Sequence, residues 1–300
     1  MERKKLKQWA KNAFHRSYWK GVLVSLIFYV VVFATIFLIS YGLSLILVYV
    51  LPSLIASLVY SAEGYGQDAR IAFSITAIFL MIFVVIGGAM MLAGIGAKTF
   101  AGNHLEIGCK KFFIKSLYFQ GASLGEMGAG FKKNYKNAAW VMFVRDLYLG
   151  LWSLLCTAIY MFVGTVVLYA GMSMLGFPYC TMTEFETFLW MMALTLVVML
   201  ICIASFIPMY IKLLQYLFIP YIIAENPDMP RKQVFDLSKQ MIYGDKWNVC
   251  VMHMSFSGWF ILSALTCYIL HIFYVGPYFE YTTAAYYEAM KTKLDYRRNY

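Results

Sequence analysis

An all-α, polytopic membrane bundle of about six spans, flanked by interfacial amphipathic helices, is the fold class this sequence predicts. Three observations carry that reading. First, 62% of the 300 residues are hydrophobic and only 13% are charged, against roughly 25% charged residues in a soluble domain. Too few polar side chains remain to cover a soluble exterior, so the surplus apolar surface needs lipid as its solvent. Second, Lys and Arg gather between apolar runs, 22 of the 25 falling in 1–20, 98–138, 231–246 and 291–298. Third, aromatic residues reach 18%, with 24 Tyr and 7 Trp, and such amphipathic rings favour the membrane–water interface.

Residues 1–20 read as a basic helix. Leu6, Trp9, Ala10, Ala13 and Phe14 share one face, while Arg3, Lys4, Lys7 and Lys11 occupy much of the rest. Such a helix can lie on headgroups with Trp9 and Phe14 dipped inward, or form a soluble tail. The first span is expected over 19–51. Gly21 to Leu51 lacks charge, Asn, Gln, His and Pro, which is too long a run for a cleavable signal segment. Dividing 21–62 into two spans near Tyr41-Gly42 would place the lysine-rich 98–138 segment outside, so the charges reject it.

The second span is expected over 71–97, where Gly88 and Gly94 leave a narrow side for a neighbouring helix. The 98–137 region reads as a cytoplasmic interfacial segment. Within it a helix over 104–119 precedes a break at Gly121, Gly125, Gly128 and Gly130. The third and fourth spans are expected over 138–170 and 187–223. Pro208 and Pro220 kink or break the fourth. A loop at Glu225–Pro230 and a short helix over 231–243 follow.

Residues 248–275 read either as one span or as two shorter ones, 248–265 and 271–290, joined by a tight turn. Lys291, Lys293, Arg297 and Arg298 prefer the cytoplasm and favour two. The whole chain then forms a single membrane domain with both termini cytoplasmic. The net charge of +10 marks orientation and contact with anionic headgroups, and no nucleic-acid-binding module accompanies it.

The second half carries a set of ordered motifs. They are Leu151-Trp152-Ser153-Leu154-Leu155, Ile207-Pro208 with Lys212, and Tyr221-Ile222-Ile223-Ala224-Glu225-Asn226-Pro227. After them come Ser238-Lys239, Gly244, Lys246-Trp247, Ser255-Phe256-Ser257-Gly258-Trp259, Pro277-Tyr278 and Tyr287-Glu288. In these the chain resembles the uncharacterised bacterial membrane family catalogued as domain of unknown function 975. Two departures stand out. Met209 follows Ile207-Pro208 where the family has Gly, and about 50 residues separate the first two motifs, enlarging the third and fourth spans. The resemblance implies a multi-pass protein of the bacterial cell membrane, with no assigned activity and no catalytic residues to transfer.

Ionisable residues inside spans are the best internal leads, because isolated charge in lipid costs several kcal/mol. Asp146 and Lys212 lie in consecutive antiparallel spans, so an Asp146–Lys212 ion pair is expected, with Arg145 snorkelling to the headgroups. Such a pair either lines a cavity or fixes helix register. Glu280, after Pro277, is expected near the external end or facing a cavity. His253 and His271 read as packing residues, and His15 and His104 sit in basic segments. The six cysteines form no metal-ligand or redox spacing, and no cofactor or metal motif is present. These features suit a non-enzymatic protein acting in transport or beside a transporter. The alternative is an anchored interaction or regulatory protein, with a membrane partner or a second copy of itself. A lipid-processing enzyme lacks a visible nucleophile–base set.

Overall fold

A computed structural model describes residues 3–50, 67–118, 122–131, 134–174 and 183–299. Cys180, Gly121 and the uncharged segment 52–62 lie outside them. Eleven α-helices occur among the described residues: α1 (Arg3–Arg16), α2 (Tyr18–Leu45), α3 (Gln67–Ala97), α4 (Asn103–Tyr118), α5 (Tyr135–Met174), α6 (Glu184–Gln215), α7 (Ile219–Glu225), α8 (Arg231–Ile242), α9 (Lys246–Met254), α10 (Ser257–Leu265) and α11 (Gly276–Asn299). Among the described residues five stretches are long and apolar enough to cross a membrane: Tyr18–Val48, Met81–Tyr118, Tyr135–Gly171, Phe185–Glu225 and Lys246–Leu265. The chain is therefore a multi-pass helical membrane protein.

Two apolar hairpins stand on one packed platform. In the first, α2 lies along α3. Helix α2 continues unbroken through Tyr41-Gly42, as expected of one span. The hairpin closes tightly at glycine: a methyl at Gly42 would meet the Gly87 carbonyl oxygen at 2.5 Å, and one at Gly94 would meet Ile39 at 2.7 Å. Gly88, expected on this contact face, points instead into open space. In the second hairpin, α5 lies along α6. Thr183 caps α6, and Glu186 accepts a hydrogen bond from the Thr183 backbone N–H in a capping box.

Helix α5 has 40 residues, about 60 Å at 1.5 Å per residue, roughly twice the hydrocarbon thickness. Burial divides it accordingly. Val141 and Met142 at its start are fully buried, whereas Leu154, Phe162 and Tyr169 further along are 68%, 72% and 78% exposed. Its first turns belong to the platform and the remainder to a lipid-facing arm.

The platform core gathers α1, α4, the start of α5, the 214–256 segment and α11. Helix α4 was expected to rest on lipid. It is instead a core helix, with Ile107, Phe112, Phe113 and Leu117 buried. The short helical segment Leu124–Phe131 presses on it so closely that a methyl at Gly108 would lie 1.9 Å from the Met127 carbonyl oxygen. Helix α1 likewise buries Leu6, Ala10, Ala13 and Phe14. It packs on α11, with Phe14 ringed by Tyr274, Tyr278 and Tyr281. Its apolar stripe is covered by protein rather than by headgroups.

A third, shorter excursion follows α9 and α10. Cys267 and Tyr268 take left-handed conformations, φ 49° and 63°, and the chain reverses there. Trp259 then faces Tyr274, and Phe256 faces Tyr278. The returning segment, expected over 271–290 as a sixth span, is not among the five apolar stretches. Its inward residues Tyr281, Ala284, Ala285 and Tyr287 are buried by the platform, so α11 draws its apolar surroundings from protein.

Candidate functional site

Six of the described ionisable residues converge at the platform, where α3 passes into α4. A wide turn at Lys98–Gly102 joins the two helices and points Lys98 at α5. Its ammonium lies 2.6 Å from Asp146 Oδ2, to which Asn103 Nδ2 also donates at 2.8 Å. Arg145, the neighbouring residue on α5, donates from Nη2 to the second oxygen of Asp146 at 2.8 Å. The same guanidinium makes a two-pronged contact with Glu106 on α4, at 2.8 and 2.9 Å. Planar guanidinium and carboxylate groups fit one another in this way, and charge-assisted bonds of this kind are the strong ones.

One helical turn beyond Glu106, Lys110 continues the sequence of charges. Its ammonium reaches Glu280 on α11 at 2.6 Å, with both side chains about nine-tenths buried. The rings of Tyr221 and Phe28 lie 5.3 and 5.8 Å from it, close enough for ring quadrupoles to favour the cation. Lys98, Arg145 and Lys110 thus alternate with Asp146, Glu106 and Glu280. Three positive and three negative groups leave no net charge, the condition under which buried ions are tolerated.

A second polar cluster lies toward the end of α11. Glu225 accepts hydrogen bonds from Tyr287 and Lys291, each at 2.7 Å, and Tyr118 donates to Glu288 at 2.9 Å. These bonds pin α7 and α4 to α11. Lys293 pairs with Asp245 ahead of α9.

The expected site residues are therefore distributed differently from the sequence reading. Asp146 and Arg145 do meet. Lys212 does not join them: its ammonium sits 4.8 Å above the Trp152 ring, because neighbouring charges on α4 and the preceding turn satisfy Asp146 instead. Arg145 is 7% exposed and held by carboxylates, so it does not snorkel. Glu280 is inside the platform, since α11 runs through the core and turns that position toward α4. Lys98, Glu106 and Lys110 were not anticipated. The one signal for them was the i, i+4 spacing of Glu106 and Lys110, which puts opposite charges on one helical face.

Two of the histidines pack against tyrosines. His104 stacks on Tyr135 at 3.9 Å, and His253 Nδ1 is 3.0 Å from the Tyr210 hydroxyl. Among the described residues no group of three or more His, Cys, Asp or Glu is arranged to hold a metal ion. The five described cysteines are free.

In comparisons with known proteins, a family model described as a protein of unknown function (DUF975) matches residues 1–293. No curated protein and no solved structure matches the chain.

Proposed function

Since the chain belongs to the DUF975 family of proteins of unknown function, we propose its role from its own geometry: a non-enzymatic, membrane-anchored interaction or regulatory component. One observation carries this reading. The six charges at the root of the hairpins neutralise one another, so they serve as a lock that holds the hairpins on the platform. A transport site would instead leave charge for a substrate or a coupling ion. Platform surfaces such as exposed Lys232, Asp236 and Lys239 on α8 are then the places where a partner acts.

The same reading puts the platform at the cytoplasmic face of the cell membrane, with both termini on that side. Two facts support this. The basic clusters at 1–20, 98–138, 231–246 and 291–298 all fall within or beside the platform segments, as cytoplasmic segments favour Lys and Arg. The first and last helices also pack on each other, as termini on one side of the membrane would.

Transport keeps one observation in its favour. Pro208 interrupts the backbone bonding of α6 one turn before Lys212, whose charge meets an aromatic ring rather than a carboxylate. Two measurements on the full-length protein separate the readings. Photo-crosslinkers placed at positions 232, 236 and 239 in native membranes should capture the same discrete protein repeatedly. Liposomes holding this chain alone should show no substrate-dependent flux. Flux without any captured partner would overturn the interaction reading in favour of transport.

A further inference from the structure

From the groove between α1 and α9 we infer that the protein holds one anionic phospholipid in a built site, the phosphate between Arg3, Lys4 and Lys7 and an acyl chain along Met252 toward α10. The inference rests on the proposed placement of the platform at the membrane surface. It is independent of whether the platform serves a partner or a transported substrate.

The groove has a volume of about 190 Å³, and three of the four cations in the first two turns of α1, Arg3, Lys4 and Lys7, line it. Its remaining walls are chiefly apolar, among them Leu6, Val251 and Met252, and Tyr286 closes it. The cations have only neutral partners among the described residues. Arg3 donates to Asn248 Oδ1 at 3.1 Å, and Lys7 donates to Ser255 Oγ at 2.6 Å while lying 5.0 Å over the Phe256 ring. Lys4 is exposed and makes no hydrogen bond or ion pair among the described residues. Asp245 is engaged by Lys293 and Asn248. Burial pulls Lys7 below the usual lysine pKa, with no carboxylate to compensate it. An anion at this position would restore that balance.

Position selects a lipid over a soluble anion. Ser255 lines the groove, and two residues later the chain enters α10, whose Ile261 and Leu265 are 65% and 77% exposed. Trp247, one helical turn before the groove-lining Val251, is 74% exposed, as suits an interfacial ring. A headgroup among the cations would therefore have its tails leading into the apolar layer. Basic pockets beside membrane-crossing helices bind lipid headgroups by this combination of charge and depth.

The test uses the full-length protein in phosphatidylcholine nanodiscs containing a small fraction of a photoreactive phosphatidylglycerol analogue. Labelling should concentrate on residues 246–257 and on α1, and it should persist in millimolar inorganic phosphate. In Arg3→Gln/Lys4→Gln/Lys7→Gln, groove labelling should fall at least roughly tenfold. Lys4→Gln alone, which removes no hydrogen bond or ion pair among the described residues, should lower it by roughly fivefold. Lys4→Arg should restore it. Undiminished labelling in both Gln variants would overturn the site, as would equal labelling of the groove by a neutral phosphatidylcholine analogue. Loss of labelling in phosphate would overturn the choice of a lipid. If α10 is labelled and the groove is not, the site alone fails. If neither is labelled, the membrane placement fails with it.

Discussion

Arg145 touches both Glu106 and Asp146, so its removal leaves two carboxylates short of a partner inside the protein. Breaking a buried pair in this way costs about 3–5 kcal/mol. Arg145→Met is accordingly expected to lower the thermal midpoint of the detergent-solubilised protein sharply. Lys212→Met should cost about 1 kcal/mol or less, because a cation over one aromatic ring contributes no more than that at a partly exposed site. Equal losses in the two variants would contradict the assignment of Asp146 to Lys98 and Arg145. The contrast also explains what the sequence could disclose at this scale. Asp146 and Lys212 interrupt apolar runs and so attract notice. Lys98, Glu106 and Lys110 lie at the edges of runs, among other basic residues, where a charge is ordinary. Their partners are distant along the chain, Lys110 and Glu280 by 170 positions, and hydropathy carries no information about which distant charge will face which.

Whole helices were easier to read, to the extent that lipid does the reading. The 19–51, 138–170 and 187–223 segments announce themselves because a lipid-facing surface is specified by residue type whatever its neighbours are. The 1–20 and 104–119 helices show why the rest stayed hidden. Amphipathicity gives each an apolar face, but a headgroup layer and a protein core ask for the same face. Only packing shows that α11 covers Phe14 and that Leu124–Phe131 covers Gly108. The glycines of the hairpin test this distinction. Gly87→Ala would force a methyl to 2.7 Å from the Gly42 carbonyl oxygen, and overpacking of this kind costs about 1–3 kcal/mol. Its neighbour Gly88 has nothing within 4 Å of such a methyl, so Gly88→Ala should be neutral, or slightly stabilising through helix propensity. Gly108→Ala, against backbone at 1.9 Å, should be the most damaging of the three. A reversed order of melting temperatures would show that α2 and α3 do not approach through Gly87.

At the scale of the molecule, the first and last helices hold each other in place, and the consequence reaches beyond either end. Phe14 is fully buried among Tyr274, Tyr278 and Tyr281, and α11 in turn supplies Glu280 to the chain of charges that anchors the hairpins. Losing α1 therefore uncovers the helix that the hairpin roots depend on. Phe14→Ala should cost about 3–5 kcal/mol through the cavity it leaves. The arms would remain inserted, since their lipid-facing surface is untouched, while α11 and α4 should become accessible to protease well before the hairpins do. A helix merely resting on headgroups would behave in the opposite way: Phe14→Ala would weaken membrane association and leave platform proteolysis unchanged. The same packing also constrains topology. With α1 seated on α11, single cysteines introduced at Gln8 and Asp295 must react with a membrane-impermeant reagent from one side of intact vesicles. Labelling from opposite sides would be incompatible with that contact, and with every bond the platform makes through it.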